Sequence, residues 1–165
     1  MKPTIEKMRP DDWDQVKSIY LEGIATRNAT FETEAPEWDQ WDASHLPHSR
    51  LVARSGNSIV GWAALSPVSR RQIYAGVAEV SVYVRQESIG QGVGGALLNS
   101  LISSSERNGI WTLQAGIFPE NISSIALHSK CGFREVGRRE RVGKMDGVWR
   151  DTLLFERRSN VVGAD

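Results

Sequence analysis

Cysteine is nearly absent from this chain. Its 165 residues hold one, Cys131. That excludes an internal disulfide framework and any zinc or iron–sulfur site built from several cysteines, and it fits a reducing compartment. Long apolar runs are missing as well. No stretch approaches the ~20 apolar residues of a membrane helix. The opening Met1-Lys2-Pro3-Thr4-Ile5-Glu6-Lys7 lacks the apolar core of a secretory signal. A cytoplasmic location without a membrane partner is the expectation. Net charge is missing too, with 20 Lys+Arg against 20 Asp+Glu. A zero balance argues against a bulk electrostatic partner such as duplex DNA, although a local basic patch stays open. No repeat, low-complexity tract or linker stands out. Residues 1–165 therefore read as one domain, with a core of about 3–157 and a short C-terminal tail.

What is present is an ordinary globular composition, 40% hydrophobic and 24% charged, with legible periodicity. Ile5 to Arg9 predicts a short strand. Pro10-Asp11-Asp12 opens a helix, since proline suits a first turn and acids complement the positive helix end. Trp13, Val16, Ile19, Tyr20 and Ile24 then recur at helical spacing. Pro36-Glu37 begins a second helix that Pro47 ends. Leu51–Arg54 and Ile59–Leu65 form a hairpin around Ser55-Gly56-Asn57-Ser58. In Val77–Val84, Val80, Val82 and Val84 alternate with Glu79, Ser81 and Tyr83, which assigns the two sets to opposite faces of a strand. A helix follows from Val93 and stops at Gly109. Next come a strand over 112–118, a short helix over 121–131, and two strands over 133–144 and 149–157 around a turn at Asp146-Gly147. Antiparallel runs with helices added make an α+β pattern, not a doubly wound parallel sheet.

The strongest chemical signal is the run Ile89-Gly90-Gln91-Gly92-Val93-Gly94-Gly95 between a strand and a helix. Glycines turn the backbone tightly and leave room for a ligand. The free N–H groups of the helix start point outward with the positive dipole end behind them. That is a ready anion site, suited to a pyrophosphate; the plain alternative is a turn needed for packing. Gly90, Gly92 and Gly95 satisfy the dinucleotide pattern G-x-G-x-x-G, but the next strand carries no acid at its tip. A Walker loop needs Lys-Ser/Thr where this chain has Ala96-Leu97, so ATP and GTP fit poorly.

At this point the residues resemble the GNAT acetyltransferase superfamily. Val80 to Leu98 looks like its acyl-CoA signature of strand, R/Q-x-x-G-x-G/A loop and helix. Asn121-x-x-Ser124-x-x-Leu127-His128-x-x-x-Gly132-Phe133 is similar to its later helix and Gly-Phe terminus. Within the superfamily the chain resembles the phosphinothricin and methionine sulfoximine N-acetyltransferases through Thr30-Phe31-Glu32-Thr33, Tyr74, Glu79 to Val84, Leu127-His128 and Gly147-x-Trp149-x-Asp151. One departure is Ile89, where the family carries Arg or Gln.

The resemblance implies a mixed, mostly antiparallel central sheet flanked by helices. It implies acetyl-CoA as acetyl donor, a small-molecule amine as acceptor, no metal and a homodimer. Val82, Tyr83 and Val84 would hold the pantetheine, and Gly90, Gln91, Gly92, Val93, Gly94 and Gly95 the pyrophosphate. Asn121 and Ser124 would add contacts. Glu79 would be the general base, partly desolvated and so raised in pKa, where the plain reading is an exposed strand glutamate. His128 would protonate the leaving thiolate or relay the amine proton, where the plain reading is packing. Phe31, Tyr74, Glu79 and Ser81 would face the acceptor, with Arg70 and Arg71 nearby in a loop that reads equally as solvated surface. Cys131 shares a helix face with His128, but a buried inert thiol is the preferred reading. The basic run Arg134, Arg138, Arg139, Arg141, Lys144 and Arg150 lacks interleaved aromatics and is diluted by acids. It reads as a mixed-charge strand face or subunit contact, and no nucleic acid partner is expected.

Overall fold

A computed structural model describes residues 2–165. The elements run β1 (Thr4–Lys7), α1 (Trp13–Ala25), α2 (Trp38–Ser44), β2 (Leu51–Ser55), β3 (Ser58–Pro67), β4 (Val77–Val84), α3 (Val93–Arg107), β5 (Thr112–Ile117), α4 (Ile122–Lys130), β6 (Arg134–Met145) and β7 (Val148–Arg158). The seven strands form one sheet in the order β1-β2-β3-β4-β5-β7-β6. Every described pairing is antiparallel except β4–β5. The sheet is mixed and mostly antiparallel, as the resemblance implied.

The period-two pattern of β4 divides the molecule. Ala78 and Val80 join Leu97, Leu98 and Leu101 of α3 and Leu113, Ala115 and Ile117 of β5 in a core on one face of the sheet. On the other face, Trp13, Val16 and Ile19 of α1 and Trp41 of α2 pack on Val52, Ile59, Trp62 and Ala64, and Tyr83 lies against this cluster. Each fully buried aliphatic here contributes roughly 1.5–3 kcal/mol. Trp38 packs against this cluster as well. Asp12, at the entrance to α1, is buried and accepts two hydrogen bonds from Arg54 Nη2 at 3.0 and 2.9 Å and one from the Arg9 N–H.

Strand β6 departs from regular pairing. Arg139 lies opposite Thr152 and Gly143 opposite Arg150, so three residues bulge against one. Asp151 fills the gap: its Oδ1 accepts from the Arg141 N–H and its Oδ2 from Arg138 Nε, both at 2.7 Å. Those hydrogen bonds, the Arg141 N–H first, hold its carboxyl below the usual range. The bulge leans Val142 and Gly143 toward the inner end of a cleft.

Candidate active site

Strands β4 and β5 pair over only three residues, Val77–Glu79 with Thr112–Gln114. Beyond that point β4 runs on to Val84 and β5 to Ile117 without pairing, and a cleft opens between them. The backbone parity of β4 decides what faces it. The Arg85 N–H donates to Val60 O, and the Tyr83 carbonyl lies toward Gly61 of β3. In an antiparallel pair these roles alternate, so the backbones of Val82 and Val84 face the cleft. That of Tyr83 does not. The Tyr83 ring lies instead between Trp62 (4.9 Å, stacked) and Tyr20 (5.0 Å), and burial pushes its hydroxyl pKa up.

The outer part of the cleft is a cavity of about 690 Å³. Gly90, Gly92, Val93, Gly94 and Gly95 line one side, and Asn121 to Ser124 the other, so the N-termini of α3 and α4 converge on one space. Both present free N–H groups and positive dipole ends to it. Gly90 (φ +85°) and Gly92 (φ +83°) adopt the left-handed conformation that lets the chain turn from β4 into α3. Gly95 is different: it is helical, and a Cβ there would meet nothing within 4 Å. No protein neighbour demands a glycine at 95, whereas a ligand pressed against the helix start would. The residues present thus suit an anionic, phosphate-bearing group.

The inner part is a cavity of about 500 Å³ that shares Val82, Tyr83, Asn121 and Ser124 with the outer one. Glu79 and Ser81 line it from β4, Phe31 and Glu32 from the α1–α2 loop, and His128 from α4. His128 is buried. Its Nδ1 lies 2.8 Å from the Ser124 carbonyl and 3.3 Å from Ser124 Oγ. A carbonyl can only accept, so Nδ1 carries the hydrogen. Nε2 has no hydrogen-bond partner among the described residues. Burial lowers the His128 pKa below that of a free imidazole, with the Ser124 carbonyl opposing. Burial thus favours the neutral ring, with its free lone pair on Nε2.

Several expected residues stand elsewhere or behave differently. Glu79 is exposed rather than partly desolvated; its one hydrogen bond among the described residues is a long one from Gln114 Nε2 at 3.4 Å. Glu79 ends the paired part of the β4–β5 ladder, and its side chain stands at the open cleft beyond it. Tyr74 lies outside both cavities, with Arg71 over its ring at 5.4 Å, and Arg70 and Arg71 line neither cavity. Gln91 also lines neither; its amide turns back to the Glu87 carbonyl. Ile89 lines the outer cavity as an exposed apolar side chain. Asn121 caps α4 by accepting from the Ser124 N–H and donates through Nδ2 to Asn28 O, which leaves one amide hydrogen free. Sequence reasoning missed Arg139, Val142, Gly143 and Thr152, which wall the inner cavity. The signal was a charged run between Gly137 and Gly143, a spacing that marks a bulged strand rather than a regular one.

Residues 11–133 match the model of the acetyltransferase (GNAT) family. The chain is 34% identical over 166 residues to phosphinothricin N-acetyltransferase of Alcaligenes faecalis, covering 95% of this chain and 83% of the relative. It is 32% identical over 134 residues to the L-methionine sulfoximine/L-methionine sulfone acetyltransferase of Pseudomonas aeruginosa, covering 81% and 73%. Its fold is similar to the crystal structure of a GNAT phosphinothricin acetyltransferase from Sinorhizobium meliloti in complex with acetyl-CoA. The TM-score is 0.89 at 27% identity, over 100% of this chain and 92% of that one. With a cleft at the parting of β4 and β5, a glycine-rich helix start beside it and these relatives, the chain belongs to the GNAT acetyltransferase family.

Proposed function

We propose that this N-acetyltransferase moves the acetyl group of acetyl-CoA directly to the amino group of a small amino acid or analogue, of the phosphinothricin, methionine sulfoximine or methionine sulfone type. The observation that carries the reading is the continuity of the cleft. One end offers two helix N-termini to an anionic carrier, and the other offers Glu79 and His128. The relatives' named substrates support the acceptor class. Acetyl-CoA supplies an acetyl group activated as a thioester. Gly92 to Gly95 and the start of α4 would hold its phosphates, and the backbones of Val82 and Val84 its pantetheine arm.

Glu79 is the base that takes the proton an ammonium must lose before its nitrogen can attack. Its exposure keeps it reachable, directly or through water. Burial lowers the His128 pKa, which suits it to accept a proton at Nε2 in a relay. A thiol with a pKa near ~8.5 leaves with little need of an acid. The Val82 N–H is available to the carbonyl oxygen as negative charge builds there. Burial pushes the Cys131 thiol up, which makes it a poor nucleophile and favours direct transfer over an acyl-cysteine. We include a homodimer in the reading: β6 is an edge strand, and Val136, Val148 and Trp149 are exposed beside it. Light scattering tests it.

The experiment is thiol release from acetyl-CoA with a panel of acceptors. Methionine sulfone, methionine sulfoximine and phosphinothricin should turn over far faster than spermidine or a peptide N-terminus. Initial-rate lines for the two substrates should intersect. A preference for the polyamine or peptide overturns the acceptor class, parallel lines overturn direct transfer, and tight donor binding with no acceptor turned over makes the chain a binding module.

A further inference from the structure

Arg150, on β7, belongs to the basic run that the sequence left as a mixed-charge strand face. Its side chain is only 15% exposed, and both of its terminal nitrogens are engaged. Nη1 donates to the Arg27 carbonyl at 2.9 Å. Nη2 donates to Asn28 Oδ1 at 2.8 Å and to Glu120 Oε1 at 3.1 Å. The guanidinium sits 4.2 Å from the centroid of the Phe118 ring. On the far side of Asn28, Asn121 Nδ2 donates to the Asn28 carbonyl at 3.1 Å. Within this segment Arg27 has φ +63°, a left-handed conformation uncommon for a residue with a side chain.

The segment so held walls both cavities. Asn28 lines the outer one, Ala29 lines both, and Thr30 and Phe31 line the inner one. Phe31 stands edge-on to Phe118 at 4.8 Å, the ring that Arg150 covers on another side, and packs so closely on Gly143 that a Cβ there would lie 2.7 Å from it. We propose that Arg150 is a positioning residue that fixes residues 27–31 as the shared wall of the donor and acceptor sites. The inference rests on reading the cleft as those two sites. Its planar fork reaches three oxygens and the Met145 sulfur while its face lies on an aromatic ring, a combination a lysine cannot reproduce.

The test compares wild type with Arg150→Met and Arg150→Lys. Methionine keeps an apolar stem over Phe118 and removes every donor. Because the wall touches both substrates without touching the reacting atoms, KM for donor and for acceptor should each rise about tenfold while kcat stays within about threefold. Arg150→Lys should fall between. Trypsin should cut after Arg27 faster in Arg150→Met than in wild type at a temperature where both are folded. A loss confined to kcat, an unchanged KM, an unchanged cutting rate, or full recovery with lysine overturns the proposal. If Arg150→Met does not fold, Asn28→Ala tests the same contact from the loop side through KM and the cut after Arg27. A wild type that transfers no acetyl group would instead sink the reading of the cleft, and the proteolysis result would still report on the clamp.

Discussion

Gly95→Ala should make the protein more stable and a worse enzyme. Gly95 is the third residue of α3, without positive φ, and open space surrounds the position a Cβ would take. Alanine there clashes with nothing and removes glycine's entropy cost. The full effect in a helix interior is about 1 kcal/mol. In a first turn about half of that is expected, which for a chain of this size raises Tm by about 1–2 °C. The same methyl stands in the outer cavity, where a phosphate must approach the free N–H groups of the helix start. Losing one hydrogen bond to a charged oxygen costs about 1.5–3 kcal/mol, or roughly a 10- to 100-fold rise in the dissociation constant for acetyl-CoA. Thermal unfolding without ligand and calorimetric titration with acetyl-CoA measure the two effects separately. Neighbouring glycines supply the contrast. Alanine at 92 would hold φ +83° at a cost of about 1–2 kcal/mol, and at 94 its Cβ would press on Leu127 at 3.2 Å. The first should lower Tm, and the second should gain less than Gly95→Ala. If Gly95→Ala raises Tm and leaves donor affinity unchanged, the ligand does not lie against this helix start.

Glu79→Gln should lower kcat by about 10²–10⁴-fold with little change in acceptor KM, and the loss should shrink when pH is raised enough to deprotonate the amine in solution; unchanged turnover across pH excludes Glu79 as base. Burial holds His45, His48 and His128 below the 6.5 of a free imidazole. The unfolded chain therefore takes up those protons at higher pH than the fold does, so their stabilising share is complete above about pH 6.5 and is lost as pH falls toward the lowered values. Tm followed from pH 8 to pH 5 should decline, less steeply in His128→Gln, and a flat profile would contradict the assignment of neutral buried rings. Arg54→Ala leaves the buried Asp12 carboxylate without its charge partner and should cost about 3 kcal/mol in urea unfolding, with KM values unchanged; a cost under about 0.5 kcal/mol would mean the pair is as weak as an exposed one.

Legibility followed from how local each feature is. The strand Val77–Val84 emerged residue for residue because its alternation is set by its own side chains, and the glycine loop because positive φ needs glycine at 90 and 92 whatever the rest of the chain does. Tyr74 and Gln91, whose side chains line neither cavity, show the opposite case. Both stand in or beside segments the right distance along the chain from the site, but which way a loop side chain turns depends on neighbours the sequence does not adjoin, Arg71 in one case and the Glu87 carbonyl in the other. Arg139 and Arg150 looked alike in a charged run, yet a bulge of three residues against one turns the first into the inner cavity and the strand opposite carries the second beneath a loop more than a hundred residues earlier. No local pattern encodes that pairing.

The parallel pairing of β4 with β5 explains why the binding features meet at all. Parallel strands end on the same side of a sheet, and each of these two is followed by a helix, α3 after β4 and α4 after β5. A parallel connection also requires a crossover, which α3 supplies. Both helices therefore begin where both strands end, and their positive N-termini converge without any long-range electrostatic cause. Had β4 and β5 paired antiparallel, α3 and α4 would begin at opposite ends of the sheet. The short ladder adds the second requirement. Three paired residues hold the strands together at Glu79 and Gln114, and the splay beyond leaves the backbones of Val82 and Val84 unpaired, a strand edge inside a sheet. Such an edge attracts a partner, and an extended amide-bearing chain ending in phosphates fits both the edge and the helix starts beside it. Extending the ladder to Val82 would close the cleft from within, so the activity depends on a pairing that stops early.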